Sequence, residues 1–149
     1  MQFDIPTPLK VEHEQLHADL AKATKEDGST GEAARSVARI MHPHFVKEEE
    51  FALPPLGLLA RLAQGEVVPE MASALRMTDR LKIELHHMLE EHKAIVDALK
   101  NLVDAARKEG KMEYLNFSKN LILHAQTEEE VLYPAAILIG EYLKAKLNR

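Results

Sequence analysis

His44 to Pro54 reads HFVKEEEFALP, and His124 to Pro134 reads HAQTEEEVLYP, so a His, three Glu and a Pro recur at an offset of eighty residues. A phrase repeated in register reports a repeated structural unit, which limits the chain to folds that contain two copies of one element. The echo continues upstream. VEHEQLHADL (Val11 to Leu20) aligns with EEHKAIVDAL (Glu90 to Leu99), sharing a Glu-His pair and the closing Leu at an offset of seventy-nine. The unit is therefore a His segment followed by a HxxxE segment, and the chain holds it twice.

Strand signals are nearly absent, whereas apolar residues recur at alternating three- and four-residue steps, the stripe of a helix that faces a bundle core. Four stripes are legible. The first takes Leu9, His13, Leu16 and Leu20, and the second Val37, Met41, His44, Glu48, Phe51 and Pro55. The third takes Leu81, Leu85, Met88, His92, Ile95, Leu99, Leu102 and Ala106, and the fourth Phe117, Leu121, His124, Glu128, Val131, Ala135, Leu138 and Tyr142. Turn residues separate them at Lys25 to Gly31, Gly65 to Pro69 and Lys108 to Lys111. Short connections predict antiparallel neighbours, hence an all-α, antiparallel up-down-up-down four-helix bundle built from two helix-hairpin pseudo-repeats, about 9–64 and 72–146. Pro43 and the Pro54-Pro55 pair should bend or break the second helix, and Pro134 the fourth, because each removes an amide donor.

Six residues on these stripes do not suit an apolar core: His13, His44, Glu48, His92, His124 and Glu128. Each stands where Leu would be routine. An ionised carboxylate held away from water costs several kcal/mol even after relaxation. Two Glu and four His could cancel most of a typical stability of about 5 to 15 kcal/mol unless something compensates them. They can find one another. Residues equidistant from a hairpin turn lie at one height, and the midpoints of His13 and His44, of His44 and His92, and of His92 and His124 fall in or at the edge of the three predicted turns. Glu48 and Glu128 follow one turn beyond their His on the same faces. Four imidazoles and two carboxylates converging inside a bundle suit iron or manganese, since carboxylates can bridge two ions. Structural zinc usually takes four ligands, and with no Cys in the chain thiolate sites are excluded.

The phrases EH followed by Leu16, HFVKEEE, EEHKAI and HAQTEEEVLYP resemble the hemerythrin-like (HHE cation-binding) family, over about His13 to Pro134. The resemblance implies a single hemerythrin-like domain over 1–149 around a non-haem centre of two iron ions bridged by an oxo or hydroxo group. It implies that Glu48 and Glu128 bridge the irons, with His13 and His44 on one and His92 and His124 on the other. The oxygen-carrying members have a second His on the third helix, one turn before the first, and here that position is Met88. They also place an Asp five residues after the His of the fourth helix, whereas here Glu128 comes at four. Each iron is thereby left with an open position; His17, one turn after His13, could substitute at one, but is expected instead as a partly buried edge residue.

The resemblance implies a di-iron protein that binds oxygen or a related small ligand, such as nitric oxide or peroxide, and is not itself an enzyme. A peroxidase or oxidase and an iron-handling or sensing protein are the alternatives. ExxH, the ferritin-type phrase, also occurs at Glu14 to His17 and Glu84 to His87, but Glu84 and His87 fall off the apolar stripe. His42 is expected at the surface or behind a ligand, His86 and His87 in solvent, and Glu49, Glu50, Glu129 and Glu130 as outer or exposed charge. Tyr114, Tyr133 and Tyr142 read as packing residues, although a Tyr close to iron could also be a ligand or redox partner. A formal net charge of −5 without a Lys/Arg cluster disfavours nucleic acid, and no segment predicts a leader or a membrane span, so a soluble, cytoplasmic protein is expected.

Overall fold

A computed structural model of the chain describes residues 3–148; Met1, Gln2 and Arg149, which the expected 1–149 domain includes, lie outside the described residues. The architecture is all-helical, with no strand among the described residues, and is consistent with a four-helix bundle. Helix α1 (Thr7–Thr24) leads to α2 (Gly28–Lys47), which runs on into a π-helical turn (Glu48–Ala52) and a 3₁₀ turn (Pro54–Leu58). The short α3 (Leu59–Ala63) and a second 3₁₀ turn (Pro69–Ala74) precede the long α4 (Leu75–Glu109). The last rod is α5 (Glu113–Thr127), a second π-helical turn (Glu128–Leu132) and α6 (Tyr133–Leu147). No helix is long and apolar enough to cross a membrane.

Local chemistry accounts for the main boundaries. Helix α2 begins at Gly28, inside the turn predicted from the sequence, because the Glu109 carboxylate at the end of α4 accepts bonds from the backbone amides of Ser29 (3.3 Å) and Thr30 (2.8 Å) and from the Thr30 hydroxyl. An acidic group there satisfies free amides and complements the helix dipole. Helix α4 stops at Gly110, whose φ of 71° provides the left-handed C-cap that only glycine adopts without strain. Helix α2 continues through Pro43 without a break, while Pro54-Pro55 does end the rod in a 3₁₀ turn.

Helix α4 packs against α2, α5 and α6, and α1 packs against α2 and α5. The core divides in two. Leu16, Leu20, Val37, Met41, Phe45, Ile95, Leu99, Leu102, Phe117 and Leu121 belong to one cluster; Phe51, Leu53, Leu56, Met71, Leu81, Met88, Tyr133, Ile139 and Leu143 belong to the other. Along α2, α4 and the last rod, the buried His and Glu residues fall where one cluster stops and the other starts. The first three stripes are buried as expected, with Leu9 and Leu85 partly covered. The fourth is correct only up to Glu128. Val131 and Leu138 are 56 % and 69 % exposed and Tyr142 is also exposed, whereas Ala136, Ile139 and Leu143 are buried, each one residue later than the stripe predicts. A π-helical turn takes in one more residue than an α turn and shifts the buried face by that residue.

A candidate metal centre between the two cores

All six polar residues of the stripes are buried, none more than 4 % exposed. Their atoms form two groups, His13, His124, Glu48 and Glu128, and His44, His92, Glu48 and Glu128, in each of which one ligand atom per residue lies within 4.8 Å of all the others. Both Glu are common to both groups. Either group could hold a metal ion. The resemblance implied a different partition of the imidazoles, His13 with His44 and His92 with His124. The structure instead pairs His13 on α1 with His124 on α5 and His44 on α2 with His92 on α4.

The imidazoles point their Nε2 atoms inward. His13 and His124 approach to 3.1 Å through Nε2, and His44 and His92 to 2.9 Å. The outer nitrogens are held from behind by carboxylates. His44 Nδ1 lies 3.0 Å from Glu91, His92 Nδ1 lies 2.9 Å from Glu129, and His124 Nδ1 bonds to Glu12. An ionised carboxylate only accepts, so these Nδ1 atoms carry protons, and in the neutral tautomer each Nε2 offers a lone pair. In the His44/His92 couple, both outer nitrogens being so held, two lone pairs face each other at 2.9 Å and require a cation between them, either a proton or a metal ion. Carboxylate, imidazole and metal in series is also the usual support of a histidine ligand.

Distances within the groups fit a metal. With imidazole nitrogens about 2.0 to 2.1 Å from an ion, neighbouring ligands lie about 3.0 Å apart at right angles and about 3.4 Å apart in a tetrahedron. Glu128 divides its oxygens, one 3.1 Å from His92 Nε2 and the other 3.0 Å from His124 and 3.5 Å from His13. Glu48 Oε1 lies 3.7 Å from His13 and 3.6 Å from His44. Glu48 Oε1 and Glu128 Oε2 are buried and lack hydrogen-bond partners, which leaves lone pairs for an ion to collect. His13 Nδ1 is likewise unpartnered, with Glu49 at 3.9 Å.

Electrostatics show how the side chains hold charge on their own. Burial, reinforced by Glu128, pushes the Glu48 carboxyl well above the usual carboxylate range. Burial works against ionisation of Glu128 too, but the neighbouring Glu48, His124, His13 and His92 outweigh it and hold that group well below the range. At His92 and His124 burial opposes the charged form, yet Glu128, with Glu129 and Glu12 behind, raises both above an ordinary imidazole. His44 is lowered, mainly by burial.

The remaining candidates fall elsewhere. His17 has a side chain 35 % exposed whose ring lies tilted against Phe45, with its Nε2 3.7 Å from Glu49, and belongs to neither group. His42, His86 and His87 are exposed, the last two as expected in solvent. Met88 is fully buried in the apolar cluster. Tyr133 is the residue that the helical pattern misjudged, since its hydroxyl donates to Glu48 Oε2 at 2.7 Å and lies 3.3 to 3.4 Å from His44 Nε2, His92 Nε2 and Glu128 Oε1. Glu12 and Glu91 were also passed over, although the repeated Glu-His pair contained the signal. Compared with protein-family models, with curated proteins and with solved structures, the chain matches none.

Proposed function

We propose that this chain is a hemerythrin-like protein, an antiparallel up-down-up-down bundle of two helix-hairpin pseudo-repeats that holds two iron ions and binds oxygen or a related small ligand such as nitric oxide or peroxide. The observation that carries the reading is the pair of inward-facing imidazole couples sharing Glu48 and Glu128, because two cation positions spanned by common carboxylates suit a dinuclear centre. Iron, with manganese next, suits a nitrogen- and oxygen-rich set without thiolates. Bound iron would supply redox and Lewis-acid chemistry to the small ligand. The chain's own residues orient the ligand atoms, keep bulk water out of the layer between the cores, and hold protons on the outer imidazole nitrogens.

Metal analysis after anaerobic loading with ferrous iron should give two ions per chain. Exposure to air should then give a coloured adduct that persists. Uptake of fewer than two ions argues against the dinuclear centre, and immediate irreversible oxidation without an adduct argues against ligand binding. A second reading, a peroxidase or oxidase, draws support from Tyr133, a buried phenol against Glu48 that could deliver an electron and a proton. Multiple turnovers with peroxide and a reductant, above the rate of free iron, would favour it.

A further inference from the structure

We propose that Tyr133 is a fifth protein ligand to the His44/His92 position, which makes the two metal positions unequal and leaves the His13/His124 position as the one open to a small ligand. The inference rests on the dinuclear reading above. The phenolic oxygen lies 2.7 Å from Glu48 Oε2, 3.3 Å from His44 Nε2, 3.4 Å from His92 Nε2 and 3.4 Å from Glu128 Oε1. It therefore meets all four residues of one group at distances like those between the group's own atoms, 2.9 Å for His44 to His92 and 3.1 Å for His92 to Glu128. An oxygen related in this way to every member of a cage stands at a further vertex around the same centre.

The surroundings favour the same conclusion. Tyr133 is fully buried, and all the hydrogen-bond partners of its hydroxyl among the described residues belong to the cage. Its ring lies against His92 with the centroids 5.7 Å apart. Met88, one turn before His92 on α4, packs in the same apolar cluster as Tyr133. A further donor to the His44/His92 position thus comes from α6 rather than from the apolar turn of α4 before His92, while the His17 side chain remains part-exposed against Glu49. Among the described residues no hydroxyl hydrogen-bonds to His13 or His124, the imidazoles of the other group, whose members are His13, His124, Glu48 and Glu128. On coordination the phenolic O–H bond breaks, its electron pair becomes the oxygen's donor pair to the metal, and the proton leaves to solvent with no change of oxidation state.

The test is spectroscopic. Wild-type protein loaded anaerobically with ferrous iron and then oxidised should show a phenolate-to-ferric charge-transfer band, and Raman excitation within that band should enhance tyrosine ring modes that shift when the protein is made with ring-deuterated tyrosine. Tyr133→Phe should lose the band and the ring modes. Tyr114→Phe, altered at a buried Tyr far from the cage along the chain, should keep both. A band that survives in Tyr133→Phe, or iron-loaded wild type without enhanced ring modes, overturns the assignment. Should Tyr133→Phe fail to fold, the labelled wild-type spectrum still decides. Two ions bound without a phenolate signature would remove this inference alone, whereas failure to bind metal would remove the dinuclear reading with it.

Discussion

The two buried carboxylates should respond differently to the same substitution. Glu48 is pushed well above the carboxylate range and carries a proton where Glu128 does not. At a pH where Glu48 is protonated, Glu48→Gln replaces one neutral group by another of the same shape, and its oxygen can still accept from Tyr133. The metal-free variant should lie within about 1 kcal/mol of wild type. Glu128→Gln instead removes the anion between raised His92 and His124, at 3.1 and 3.0 Å, and should cost about 3 to 5 kcal/mol, as breaking a buried pair does. For a chain of 149 residues, with an unfolding entropy of about 2.1 cal/mol/K per residue, that is a fall in Tm of about 10 to 16 °C. Metal reverses the comparison. Saturation of each of the two positions at about a thousand times Kd adds about 4.1 kcal/mol, so about 8 kcal/mol or about 26 °C in all, to wild type, and both variants should lose most of that gain because each lacks a shared ligand. Thermal unfolding followed by circular dichroism, on chelator-treated and iron-loaded samples, measures all four quantities. If the metal-free Glu48→Gln protein falls as far as Glu128→Gln, the proton has been assigned to the wrong carboxylate; if either variant keeps the full metal shift, the shared-ligand reasoning fails.

The carboxylates behind the imidazoles should matter next: Glu91→Gln, Glu129→Gln and Glu12→Gln should each weaken metal binding about 10- to 100-fold in a competitive chelator titration, with little effect on overall helicity. Metal affinity should rise with pH, because protons held above their ordinary range at Glu48, His92 and His124 must leave when the ion enters, whereas lowered His44 competes less. Calorimetry in buffers of different ionisation enthalpy should report net proton release on metal binding, and an affinity that falls as pH rises would contradict the assignment. Gly140→Ala tests the packing of α4 on α6, since a Cβ there would meet the Thr78 hydroxyl and come within 2.7 Å of Thr78 Cβ. It should cost about 1 to 3 kcal/mol with and without metal alike.

Much of the bundle and six of its polar positions were legible because helical periodicity and buried charge leave separate marks on a sequence. His13, His44, His92 and His124 occupy stripe positions whose neighbours are apolar, and a His or Glu at such a position is conspicuous. Distance along the chain also fixed their common height. It did not fix which imidazoles face each other, because that depends on which helices are neighbours at that level, a property of the packed bundle. The Glu behind each imidazole were harder to read still. Glu12 and Glu91 are polar residues on helices rich in charge, and only the direction of the neighbouring His ring distinguishes them from solvated surface.

Tyr133 escaped for a reason that lies in the repeated phrase itself. Pro54 and Pro134 have no amide hydrogen, so in a regular α-helix the carbonyls of Glu50 and Glu130 would be left without their donors. The chain widens just ahead of each proline. The Leu53 amide bonds to the Glu48 carbonyl at 2.9 Å, and the Tyr133 amide bonds to that of Glu128, five residues back in both cases. One added residue turns the following helix by about 100° relative to a continuous α stripe. In the last rod that rotation sends Val131, Leu138 and Tyr142 outward and brings Tyr133 onto the side of Glu128. The closing Pro of HAQTEEEVLYP thus does more than end a phrase. The wider turn ahead of it sets a phenol beside two carboxylates.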